Sequence, residues 1–284
     1  MNLNSKQKST PWSMFAKFAF LLAFASLFVS CATGNTKKEF VKAEDGFTLD
    51  YQYYPRDPRS KIQRSVIIVP PTGGASTLDR SYAKSMQKKG ADVYIMTRWT
   101  GQEREDIALN LHQDLHGRAV RAIELLVNQI GPDEKIAVLG TSVGGLFASI
   151  AASKVDRIER VFVIGAGLSI PQVIVYSDQK AMKKLKTERY KAFNFQSDEE
   201  YLKALEKEFF LDPLTLPKNF ENKQLGVLLI LDDKTVPTIN QRQLVDFWKP
   251  DVTIELKAGH FWGIVGAWKH HSKDIEAFLV PEGS

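Results

Sequence analysis

A serine stands between glycines in the run Gly140-Thr141-Ser142-Val143-Gly144, and Gly145 follows. The preceding "KIAVLG" reads as a buried strand and the following "GLFASIAASK" as a helix. A serine at the tip of so sharp a strand-to-helix turn sits in strained backbone, and flanking glycines let neighbouring chain pass close by. Its hydroxyl then projects above the sheet, while the helix N-terminus offers free N–H groups where an oxyanion would develop. The chemistry this fits is nucleophilic attack by Ser142 on a carbonyl carbon. The plainer alternative is a turn serine in a glycine-containing loop, because three fixed positions in five recur widely.

Other patterns fail at a decisive position. His112 and His116 are four apart on one helix, like a zinc-binding pair, but Gln113 stands where a general base is needed, so a solvated helix face is expected. "VIGAGLSI" starts like a dinucleotide fingerprint and has Ile170 at the third glycine position. "PPTGGAS" lacks the lysine of a phosphate-binding loop. The chain has one cysteine, which excludes an internal disulfide and a cysteine-based zinc site. No nucleotide, metal or organic cofactor is expected.

The elements that must position Ser142 alternate in type. "AEDGFTLDYQYYP" reads as a hairpin about Asp45-Gly46 and an exposed first strand. "SVIIVPPTGG" and "ADVYIMTRW" are continuous apolar runs, the pattern of strands covered on both faces, with a helix between them ending at Gly90. A long amphipathic helix over residues 106–130 precedes "KIAVLG". The strands "RVFVIGAG", "GVLLILDD" and "VTIELKAGH" follow, then a helix ending near Leu279. This order predicts an α/β fold with a mostly parallel sheet flanked by helices. Residues 170–223 break the rhythm and read as a helical cap insertion, with a capping box at Ser197 and Glu200 and Tyr201, Leu205 and Phe209 at helical spacing. Such a cap could form a lid over a site at the strand ends. Its basic segment "DQKAMKKLKTERYKAF" could face anionic lipid, a solvated helix face being the plainer reading.

On these motifs residues 44–279 resemble the α/β-hydrolase family, which orders its triad as serine, acid, histidine. The resemblance implies Ser142 as nucleophile. It implies Asp233 as acid, in "DKTVP" after "VLLIL", and His260 as base, after Gly259. Asp232 is the alternative acid, and His270 and His271 lie well inside the last helix. For the oxyanion the family implies the N–H of Val143 and one from the loop "PPTGGAS", at Thr72 or Gly73; many members have His-Gly where this chain has Pro71-Thr72-Gly73-Gly74.

The first 30 residues carry Lys6, Lys8 and Lys17, no acidic residue and an uncharged apolar run from Phe18 to Val29, the layout of a signal peptide. "LFVSCAT" resembles the bacterial lipobox, with Phe28 where Leu is usual, and implies that Cys31 is acylated and becomes the N-terminus. The alternative is cleavage after Ala32 and release of a soluble protein. Residues 31–42 read as lipidated cysteine and polar tether, and residues 43–284 as the catalytic domain. Ala32 favours the outer membrane, at its periplasmic face. Those three lysines account for three of the five net positive charges, leaving +2, which gives no case for nucleic-acid binding.

The expectation is an exported, membrane-anchored serine hydrolase acting on small-molecule or lipid esters. The rivals are a non-catalytic envelope scaffold of the same fold and an acyltransferase using the same triad.

Overall fold

The computed structural model describes residues 36–102, 106–216, 220 and 222–282. The expected signal peptide and Cys31 lie outside the described residues.

Among the described residues eight strands form one sheet: β1 (Lys37–Lys42), β2 (Thr48–Tyr54), β3 (Arg64–Val69), β4 (Asp92–Trp99), β5 (Lys135–Thr141), β6 (Ile158–Ile164), β7 (Gln224–Ile230) and β8 (Val252–Leu256). Their spatial order is β1-β2-β4-β3-β5-β6-β7-β8. β2 runs antiparallel to both β1 and β4, and every other pairing is parallel. From β3 the chain first goes to β4 on one side and then returns to place β5 on the other. This reversal opens a crevice at the carboxyl ends of β3 and β5, the place where open α/β sheets bind ligands.

β3 is buried along its whole length, and β5, β6 and β7 nearly so, as their apolar runs require. One face of the sheet is covered by α2 (Leu111–Gln129), α3 (Val143–Lys154) and α7 (Thr238–Trp248), the other by α1 (Thr77–Lys88) and α8 (His260–Leu279). Side chains alternate between the two cores along β5, Ile136 and Val138 to one and Ala137 and Leu139 to the other.

Two boundaries differ from the sequence reading. Residues 37–42, read as the end of the tether, are strand β1, because Phe40 and Val41 alternate and Val41 is buried against the first core. The lysines at 37, 38 and 42 mark it as an edge strand, which charge protects from further pairing. The long helix begins at Leu111 rather than at residue 106.

The insertion folds as α4 (Ile170–Tyr176), α5 (Lys180–Phe193) and α6 (Asp198–Glu208). Ser197 Oγ accepts from the Glu200 N–H at 3.3 Å, but the Glu200 carboxylate reaches the Gln196 N–H, so the reciprocal arm of the box shifts by one residue. Tyr201, Leu205 and Phe209 are buried. The basic face of α5 hides one exception: Arg189 is fully buried and donates to the Ile107 and Ala108 carbonyls and to the Tyr201 hydroxyl. Gln113 Oε1 accepts from the Phe210 and Leu211 N–H groups at 3.0 and 3.1 Å and ties the far end of the cap to α2. Arg189→Ala strands two carbonyls and empties the space under α5, and it is expected to lower stability by about 3 kcal/mol in chemical denaturation.

Candidate active site

Ser142 joins β5 to α3 with φ 55° and ψ −122°, one of four non-glycine residues with positive φ among the described residues. Such a conformation persists only where the surroundings over-determine it. The Ser142 N–H donates to the Ile164 carbonyl at 2.8 Å, and its own carbonyl accepts from Gly145 and Leu146. The glycines are required by close approach. A Cβ on Gly144 would lie 2.1 Å from the Val69 oxygen and 2.4 Å from the Pro70 oxygen, and one on Gly140 would lie 2.6 Å from the Gly144 oxygen. Gly144→Ala is therefore expected to lose about 3 kcal/mol of stability, read in urea melts, because the obstruction is backbone that cannot rotate away.

The other two candidates arrive from neighbouring strand ends. Asp233 follows β7, and His260 is the first residue of α8, just past β8. The Asp232 N–H donates to the Ala258 carbonyl at 3.1 Å and holds the two loops together. Ser142 Oγ lies 2.8 Å from His260 Nε2, and His260 Nδ1 lies 2.6 Å from Asp233 Oδ2. A carboxylate oxygen only accepts, so Nδ1 carries the proton and Nε2 is left to accept from the serine hydroxyl. Asp233 is buried, whereas Asp232 is exposed. Its Oδ1 accepts from the Thr235 and Val236 N–H groups at 2.8 and 3.0 Å, and its Oδ2 also accepts from Gln241 Nε2 at 2.9 Å. Burial of this carboxylate is thus matched by four donors.

Gln241 escaped the sequence reading. Its amide also accepts from the Ile230 N–H and donates to the Val236 carbonyl, fixing the loop that carries Asp233. No local pattern marks it in "TINQRQL".

Ser142 opens into a cavity of about 640 Å³, its solvent-facing mouth included. The walls are Thr72, Val143 and Leu146 from the body and Ile170, Val173, Ile174 and Met182 from the cap. Val143 is the first helical residue, so its N–H has no acceptor within the helix. Thr72 and Val143 line the cavity beside Ser142; Gly73 lines an adjoining one, with Met96, Trp99 and Phe147. The Gly74 N–H closes a turn onto the Pro71 carbonyl, with Gly73 at φ 103°. Below the cap, burial pushes the Asp212 carboxyl above its ordinary range, opposed by N–H groups of Leu214 and Ile170, the latter opening α4.

His112 and His116 are not on a solvated face. Both are buried and line the Ser142 cavity, because α2 turns that face towards the cap. His116 Nδ1 donates to the His112 carbonyl at 2.7 Å, and the Phe147 and Phe209 rings stand edge-on to its imidazole. Among the described residues no cluster of three metal-ligating side chains occurs. His270 is exposed, and His271 lies 3.5 Å from Asp274; they stand ten and eleven residues along α8 from His260.

Strand order, elbow and crossing loops define the α/β-hydrolase fold. No protein-family model matches the chain, and no curated protein matches it. Solved structures share its fold. An esterase of Pyrococcus furiosus aligns at TM-score 0.57 and 16% identity, over 87% of this chain and 92% of that one. Acetyl xylan esterase 1 of Thermoanaerobacterium aligns at 0.66 and 14%, over 90% and 86%. The acylaminoacyl peptidase of Pyrococcus horikoshii aligns at 0.65 and 18%, over 91% of this chain and 42% of its own length.

Proposed function

We propose that the protein is a serine hydrolase that cleaves carboxylic esters through an acyl-enzyme. The observation that carries this reading is the continuous relay from Ser142 Oγ to His260 Nε2 and from His260 Nδ1 to Asp233 Oδ2. In it His260 takes the Ser142 proton as Oγ attacks the ester carbonyl. Asp233 holds the imidazole in the required tautomer and stabilises the imidazolium that forms. The oxyanion is met by the N–H of Val143 and by one from the Thr72–Gly73 turn. Collapse expels the alcohol, which leaves with the proton from His260, and water activated by His260 then releases the acid. An apolar cavity partly roofed by the cap suits an ester with an aliphatic or aromatic portion. The Cys31 expectation completes the proposal as an envelope lipoprotein.

A fluorophosphonate probe tests the nucleophile: one label per chain is expected, lost in Ser142→Ala. Well-folded protein that takes no label supports the scaffold alternative. Mass spectrometry of the mature N-terminus tests the anchor, an unmodified Cys31 being the result that removes it.

A further inference from the structure

Large apolar side chains that face water stand in the segments next to the Ser142 cavity. Ile239, Phe261 and Trp262 are 68%, 65% and 67% exposed, and Tyr176 is 48% exposed. Phe261 and Trp262 directly follow His260 and stack edge to face, 5.2 Å between ring centroids. Ile239 is the second residue of α7, just after the loop that carries Asp233, and Tyr176 ends α4 beside the cavity residue Ser177. Hydrogen bonds join these segments into one rim. The Asp178 N–H donates to the Lys234 carbonyl at 2.9 Å, the Thr235 hydroxyl donates to the Asp178 carboxylate at 2.7 Å, and the Asp232 N–H reaches Ala258. Exposed Lys180, Lys183 and Lys184 on α5, with Lys234 and Lys257, lie in these segments or next to them in the chain, against Asp178 and Asp232; Lys184 Nζ pairs with Glu188 at 3.8 Å.

We infer that this rim docks on an anionic lipid surface and seats the mouth of the cavity against it. Aromatic side chains with an apolar body and a polar tip settle at the headgroup boundary, and lysines beside them add attraction to negative headgroups. Charge complementarity favours lipid bearing net negative charge over neutral lipid. The contact is separate from any acyl anchor on Cys31. It deepens the hydrolase reading by presenting lipid-phase esters, although the docking itself needs no catalysis.

The test uses the unlipidated chain over residues 32–284, which contains every strand of the sheet and both cores. Co-sedimentation is measured with vesicles of phosphatidylcholine alone and of phosphatidylcholine mixed with phosphatidylglycerol. The expected result is binding to the mixed vesicles and little to the neutral ones. Phe261→Ser combined with Trp262→Ser should lower binding about tenfold or more, with turnover of a water-soluble acetate ester kept within about twofold. Lys180→Glu with Lys183→Glu should lower binding to the mixed vesicles by about fivefold or more per lysine. Ser142→Ala should bind like the parent, so failure of the hydrolase reading leaves this result standing. Equal binding by the parent and the rim variants overturns the proposal. So does a parent that stays in the supernatant, or one that buries the two aromatics in a dimer without binding vesicles.

Discussion

Ser142→Ala is expected to lower kcat for ester hydrolysis by about 10⁵- to 10⁶-fold while leaving the circular dichroism spectrum and the unfolding midpoint unchanged. The hydroxyl is the only atom removed, and Oγ is the atom at 2.8 Å from His260 Nε2. His260→Ala should cost nearly as much, and the double variant little more than either alone. The two groups perform one step: a serine that cannot lose its proton is nearly as inert as no serine. Steady-state kinetics on the purified variants decide it. Additive losses, or substantial turnover by Ser142→Ala, would place the chemistry elsewhere.

Asp233→Asn should lower kcat by about 10⁴-fold with little change in KM. The direction of the effect follows from the donors around the carboxylate. The Thr235 and Val236 N–H groups point at Oδ1, so an asparagine must place its carbonyl oxygen there and turn its NH₂ towards His260 Nδ1. Nδ1 must then accept, the ring proton moves to Nε2, and the nitrogen facing Ser142 can no longer take its proton. The Gln241 amide, which donates to the same edge, would meet a second donor and lose its bond. Asp232→Asn, at an exposed position, should change kcat by less than about twofold.

The difference between these residues explains what the sequence could disclose. Ser142, Asp233 and His260 each stand at the end of a strand, inside a short run whose residue types are constrained by the turn they make. The mostly parallel sheet flanked by helices was legible for a related reason, since apolar runs covered on both faces alternate with helices along the chain. Gln241 and Arg189 carry no such local mark: one acts on a loop eight residues away, the other on carbonyls more than 80 residues away in the chain. His112 and His116 misled because a helix face reads as solvated when its cover, the cap, comes from a distant stretch of sequence. Phe40 and Val41 misled in the opposite sense, two apolar residues among lysines being too few to announce β1.

The cap is clasped to the body by Arg189 on α5 and by Gln113 beyond α6, with α4 held from below by Asp212. A roof fastened at these points is expected to move with the body, which makes the route to the serine a standing aperture rather than a gate. The rate of entry would track solvent viscosity rather than the frequency of an opening motion.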